Sequence, residues 1–523
     1  MKTFKYQIGF KRSLRLLIWI IALASSGFFF YVLKAKSSRS EILVWITQNK
    51  IQFPSSLISK PGSPLLIALQ SYLGTGITID KESNSTLLKS GGEGLIKIED
   101  SEGIQHISHS IDIAWDIYPL LKTKIIRRKV LGPFASFESA NRSAVQLKQN
   151  GVLAFVAYPK DWEVWVPIKE QLPDGFKAAI VSKRITNEIR PVLRDLGNSL
   201  PLTGPIKIDA PDGLLWNGGI YFGSFYLKPD AYGTWTLIQE IPLENYLLGV
   251  VPHEIGSDSP KAALEAQTIL ARTWALANDH RFSLDGYHLC TNTQCQVYRD
   301  PNKASVKVRS AIKQTRGIFL DWNGEPIHAV YHASNGGVSA SVSEAWSVKS
   351  LPYLKPNIDG SLMWRSRHSL PLRTNSKVQY LLSMKDGAYG NNHRLFRWKR
   401  DFTIDDLEII FDESSYKNFT PDSISVTERG PSGRVINLEF YDSINDLKVV
   451  LKRDEIRRKL RKLPSTLFVV ERLSKGKWQF DGGGFGHGVG LSQAGAIDLA
   501  NRGWSSSKIL EYYYPGTNYG TLP

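Results

Sequence analysis

Chemistry in this chain has few places to sit. The run Gly249-Val250-Val251-Pro252-His253-Glu254 sets a carboxylate at the end of an apolar stretch, directly before a segment with helical periodicity. Burial there disfavours the charged form, so the carboxyl can keep its proton towards neutral pH and act as a general acid. Arg272 follows among Leu270, Ala271 and Trp274, where an unpaired guanidinium is costly to bury, so a carboxylate or ligand partner is expected. On residue types alone, Glu254 and Arg272 read first as a structural ion pair and second as catalytic groups. Cys290 and Cys295, with His288 beside them, fit either a disulfide in an exported chain or a zinc site. A redox role is the weaker reading, because no C-x-x-C is present. His328 and His332 have the i, i+4 spacing of metal-binding helices, but their segment reads as a strand and Ala329 stands where H-E-x-x-H needs its glutamate. His487, between Gly486 and Gly488, belongs either to a loop that approaches a ligand or to a tight turn held by core carbonyls.

These groups need rigid carriers. Ser259 as N-cap and Pro260 at the first helical position predict a helix in which Ala262, Ala266, Ile269, Thr273 and Ala277 share one face. Before it, residues 221–228 and 234–241 predict a hairpin around Pro229-Asp230-Ala231-Tyr232-Gly233. After it, residues 304–333 read as a helix followed by strands. Residues 401–480 read as short strands and loops, and the basic cluster 452–462 as a solvated helix face. A helix over 491–501 closed by Gly503, and a last helix ending in Tyr512-Tyr513-Tyr514-Pro515-Gly516, complete the chain. Further upstream, a strand at 125–130, a turn at Gly132-Pro133-Phe134, a helix through Ala140, Ala144 and Leu147 ended by Gly151, and strands at 154–158 and 163–166 predict a βαββ unit. Ile42-Leu43-Val44-Trp45-Ile46 reads as a buried strand, and residues 47–110 are weakly patterned.

At 523 residues, 42% hydrophobic and 22% charged, the composition excludes a disordered, collagen-like or polytopic membrane chain, and two cysteines exclude a disulfide-dense framework. The net charge of +16 does not point to nucleic acid. Half of it comes from Lys2, Lys5, Lys11, Arg12, Arg15, Lys34, Lys36 and Arg39, with no acid among residues 1–39. These basic residues flank the uncharged run 16–33, which reads as a single membrane span with the N-terminus in the cytoplasm and the remainder in the periplasm or another extracytoplasmic space. A cleaved signal peptide is the rival, through Ala22-Leu23-Ala24. Against it, cleavage there leaves Phe28-Phe29-Phe30-Tyr31-Val32-Leu33 as an apolar N-terminus.

The stretch from Leu243 to Glu254, followed by Ala263-Leu264-Glu265-Ala266-Gln267-Thr268-Ile269-Leu270-Ala271-Arg272-Thr273, resembles the SpoIID/LytB family of stage II sporulation protein D and amidase enhancers. Four more stretches agree in the same order. They are Cys290-Thr291-Asn292-Thr293-Gln294-Cys295-Gln296-Val297-Tyr298, Tyr331-His332-Ala333-Ser334-Asn335-Gly336-Gly337, the run from Gly484 to Ala496, and the run from Ile509 to Gly516. The βαββ stretch looks like a SPOR module, which binds peptidoglycan glycan strands.

The resemblance implies an α+β, β-rich, multi-domain protein. It divides into a basic tail, anchor and linker (1–40), a β-containing region that could belong to the SpoIID-like fold (41–112), a SPOR-like module (113–170) and a catalytic domain with a substrate groove (203–523). It implies a lytic transglycosylase cutting peptidoglycan between N-acetylmuramic acid and N-acetylglucosamine on peptide-free strands. Glu254 is then the acid and base, and Arg272 its cationic partner in the groove. His487, Ser334, Gln493, Tyr512 and Tyr513 are substrate contacts, with helix packing the commoner use of aromatics such as Tyr512 and Tyr513. It further implies a structural zinc on His288, Cys290 and Cys295, with His332 a candidate fourth ligand. No cofactor is expected in catalysis. The alternative is a non-catalytic glycan binder that enhances a cell-wall amidase. This chain departs from relatives at His253, where small residues are common, and at Glu265, where a lysine is common.

Overall fold

The computed structural model describes residues 41, 42, 45, 51–75, 85–195, 198–412 and 419–523. The anchor expected at 16–33 lies outside the described residues, and among these no helix is long and apolar enough to cross a membrane. The fold is α+β and strand-rich.

Its organising layer is a seven-stranded sheet in the order Leu289–Cys290, Leu65–Leu73, Trp235–Ile241, Ser224–Pro229, Ile206–Asp209, Ile96–Glu99 and Gln105–Ser108. Period-two alternation makes the outer strands one-sided, whereas Trp235–Ile241 is buried on both faces. Ile96 and Ile98 are buried opposite Lys97, and Ile206 and Ile208 opposite Lys207. Leu65–Leu73 lies antiparallel to Trp235–Ile241 and parallel to Leu289–Cys290, so the region 41–112 is built into the same sheet as the segment around Glu254.

The helix Lys261–Ala277 packs into this core and is buried on nearly every side, from Ala263 to Leu276. Its start departs from expectation. Pro260, not Ser259, is the N-cap and supplies no side-chain hydrogen bond, while the Ser259 hydroxyl donates to the Ile255 carbonyl at 2.7 Å and so closes the preceding turn. The 42–46 segment differs too. Ile42 and Trp45 are helical, and the indole of Trp45 donates to the Ala231 carbonyl at 3.1 Å.

The βαββ order is present as Ser110–Phe134, the helix Phe137–Gln149, Phe155–Ala157 and Trp162–Pro167. Ser136 caps the helix. Gly151, at φ +75°, lets Val152 N–H reach back to the Leu147 carbonyl, a Schellman-type ending. The unit is not free-standing. Its first strand runs for 25 residues and pairs with both Thr86–Ser90 and the 17-residue strand Ala179–Asp195.

The segment 203–523 holds more than one core, among them a small one around Trp364 and Phe396 and two larger ones. One surrounds the helix Lys261–Ala277. The other is built from Trp398, Phe402, Leu438, Phe440, Trp478 and Phe480 on two three-stranded sheets. The basic helix Asp454–Lys459 is not a solvated face. Arg458 pairs with Asp161 and donates to the carbonyls of Phe134 (2.9 Å) and Ala135 (3.1 Å), which joins the second core to the βαββ unit.

Candidate functional site

Glu254 stands on a wide π-helical turn, Pro252–Gly256, between the helices Leu243–Val251 and Lys261–Ala277. Such widened turns break the regular ladder and re-aim a side chain. Val297 N–H donates to Glu254 Oε1 at 2.7 Å, and the side chains of Gln493 and Tyr331 also hydrogen-bond the carboxyl. Behind it runs a buried chain of polar groups. Tyr246 donates to Gln296 Oε1 (3.2 Å), and Gln296 Nε2 donates to the Tyr331 hydroxyl (2.9 Å). Burial pushes the Glu254 carboxyl above its usual range, and the hydrogen bonds from Val297, Gln493 and Tyr331 oppose that rise without cancelling it. The result is a carboxyl biased towards its acid form at a cleft of about 400 Å³, which Gln493, Ala333 and Asp498 also line.

The parallel pairing of Tyr331–His332 with Leu491–Ser492 brings Tyr331, Ala333 and Gln493 to the same place. Gln493 is also fixed from below, where its Nε2 donates to Gln267 Oε1 at 3.3 Å. A second carboxylate in the cleft, Asp498, is already committed. It accepts Gly390 N–H at 3.1 Å and Arg502 Nε at 2.8 Å. The loop Gly390–His393, which nothing in the sequence singles out, also lines the cleft.

Several expected contacts lie elsewhere. Arg272 is not a groove cation. Its side chain is 0% exposed, its Nε and Nη2 donate to the two oxygens of Glu244 at 2.7 and 2.8 Å, and its Nη1 donates to the Ile318 carbonyl at 2.8 Å. The expected ion pair thus exists with Glu244 in place of Glu254, joining the two helices that flank the acid.

Ser334 is 2% exposed and bridges the backbone of Phe485, so it does not reach the cleft. Tyr512 and Tyr513 spend their hydroxyls on the two oxygens of Asp359, each at 3.0 Å, and Tyr513 is buried. His487 donates from Nε2 to the Tyr331 carbonyl (3.0 Å) and accepts Val489 N–H on Nδ1 (3.1 Å). Burial among cationic neighbours pushes it down to about 3, so the ring is neutral and positions Tyr331.

The glycines around His487 serve protein packing. A Cβ on Gly488 would meet Arg434 at 2.1 Å, and one on Gly490 would meet the Val330 carbonyl at 2.0 Å.

The zinc set does not fit. Cys290 and Cys295 form a disulfide. His288 accepts Leu66 N–H on Nδ1 (2.8 Å) and donates from Nε2 to the Ser55 carbonyl (3.0 Å), which leaves no lone pair for a metal. His332 donates from Nδ1 to the Val489 carbonyl, beside His487. Among the described residues no cluster of three or more His, Cys, Asp or Glu is arranged to hold a metal ion.

Residues 231–322 match the stage II sporulation protein (SpoIID) family, and residues 340–490 match a domain of unknown function, DUF8618. The chain is 28% identical over 288 residues to the amidase enhancer of Bacillus subtilis, an alignment covering 52% of this chain and 40% of that protein. It is 26% identical over 303 residues to stage II sporulation protein D of Bacillus amyloliquefaciens, covering 54% and 75%. It is also 26% identical over 353 residues to an uncharacterized protein of Brachyspira hyodysenteriae, covering 66% and 85%.

Proposed function

On the match of residues 231–322 to the SpoIID family, we propose that the protein is a lytic transglycosylase acting on peptide-free peptidoglycan strands, with Glu254 as its single acid and base. The observation that carries the reading is the position of Glu254: a half-buried carboxyl, raised above its usual range, at an open cleft. The protonated carboxyl gives its proton to the oxygen linking N-acetylmuramic acid to N-acetylglucosamine, and the bond from that oxygen to the muramic C1 breaks. The C6 hydroxyl of the same muramic residue closes on C1, and its proton passes to the Glu254 carboxylate, which restores the acid and leaves a 1,6-anhydro end. No water is consumed. Asp498 is paired with the Arg502 guanidinium and held by Gly390 N–H, so Glu254 performs both transfers. Tyr331, Gln493 and the Val297 amide hold Glu254 in place and stabilise it in the moment when it carries charge. Activity carried by the acid form declines as pH rises through the elevated pKa of Glu254. The run 16–33 would anchor this domain on the outer side of a membrane.

Purified protein and its Glu254→Gln variant, incubated with peptide-free strands, test the reading by mass analysis of anhydro-muramyl ends. Equal release by both rejects it. The likeness to an amidase enhancer favours a second reading, in which the cleft binds glycan and presents it to a cell-wall amidase. Enhancement of an added amidase that survives Glu254→Gln, with no anhydro ends formed, selects that reading.

A further inference from the structure

Resting on the reading of the cleft as a glycan site, we infer that Phe485 and His393 form a sugar-stacking subsite at its mouth. The segment of unknown function, 340–490, is then the substrate-selecting wall of the site. Both residues lie in that segment, as does the whole loop Gly390–His393 that lines the cleft with Glu254. The loop is pressed onto the helix Gln493–Asn501. Gly390 has φ +70°, its N–H is held by Asp498, and a Cβ there would stand 2.6 Å from the Ala494 backbone.

His393 lines the cleft, and its ring is oriented by Leu395 N–H, which donates to Nδ1 at 3.2 Å. The ring of Phe485 lies nearly parallel to it, with centroids 6.4 Å apart and 27° between planes. Phe485 is 37% exposed, yet its backbone is pinned on both sides to Ser334, the neighbour of the cleft residue Ala333. A ring with a fixed backbone and a free face presents apolar area at little cost in conformational entropy. Pyranose rings carry apolar C–H faces that pack on such a surface, whereas the tyrosines expected in this role are tied to Asp359. Asn391 and Asn392 stand on the same wall, and Asn392 is exposed. A side-chain amide offers a donor and an acceptor together, which matches the acetamido group of an N-acetylated sugar.

The test uses the full chain. Binding to peptide-free glycan strands is measured by co-sedimentation in the Glu254→Gln background, and KM and kcat are measured with Glu254 intact. Phe485→Ala should weaken binding and raise KM roughly fivefold, as expected for loss of one aromatic contact, with kcat changed less than about twofold. Phe485→Trp should retain both. If Phe485→Ala melts below the parent, Phe485→Leu, which keeps apolar bulk without an aromatic face, carries the test on the same two readouts. Unchanged binding and KM in Phe485→Ala, or in Phe485→Leu where that variant carries the test, overturns the subsite even if the parent cleaves glycan. Loss of binding in a parent that forms no anhydro ends supports the subsite while rejecting the catalytic reading.

Discussion

Replacing Arg272 by methionine separates two roles that the sequence left joined. A groove cation would be lost at little structural cost, whereas a buried anchor would not. Arg272 is 0% exposed and its partner Glu244 is 17% exposed, with two parallel hydrogen bonds of 2.7 and 2.8 Å between them. Removing one member of a buried pair costs about 3–5 kcal/mol, and the partial exposure of Glu244 places this case at about 3. The Ile318 carbonyl also loses its donor, at about 1 kcal/mol. A total of about 4 kcal/mol lowers the melting temperature by roughly 8–16 °C for a unit of about 200 residues. Thermal melting followed by circular dichroism reads the stability, and co-sedimentation with peptide-free strands, well below the transition, reads the site. A lowered transition with glycan binding retained is expected. A variant that melts with the parent yet no longer binds glycan would refute the anchor and restore the groove cation.

Asp359 sets a pH dependence of stability. Burial pushes its carboxyl up to about 6 from the ordinary 3.8, so between these values the folded protein holds a proton that the unfolded chain has released. The stabilisation is complete below about pH 4 and is lost as pH rises through about 6; melting temperatures across that window should fall in the parent and lack this component in Asp359→Asn. The Cys290–Cys295 bridge closes a short loop, so Cys295→Ser should cost about 2 kcal/mol in denaturant unfolding. Without reductant the unfolded parent should show no reactive thiol, and a chelator should leave its stability unchanged.

What the sequence made legible was local. Glu254 could be placed because an apolar run, a turn and an alanine-rich helix follow one another within a few residues. Gln493 reached its place beside Glu254 because its loop and the Tyr331 strand pair in parallel. Several of the failures share one cause: the missed partner is distant in sequence. Glu244 lies 28 positions before Arg272, Asp359 lies 153 before Tyr512, and Ser55 lies 233 before His288. Tyr512 and Tyr513 looked like free sugar platforms because nothing near them in the chain shows a buried carboxylate waiting beneath. The Gly390–His393 wall carried no chemical signature of its own, since asparagine and histidine in a glycine-flanked loop are ordinary turn residues until the fold sets them in one cleft with Glu254.

Synthesis delivers Leu65–Leu73 long before Trp235–Ile241 and Leu289–Cys290, the two strands between which it is finally wedged. Its two hydrogen-bonding edges must therefore wait for partners that emerge much later, the situation of high contact order in which folding is slow and premature association a hazard. A fragment limited to 231–322 would carry both neighbours but lack the strand that separates them, and also Ser224–Pro229 on the far side of Trp235–Ile241, leaving raw ribbon edges where the whole chain has a continuous sheet. The family-matched stretch is in this sense a recognisable passage without being an autonomous body.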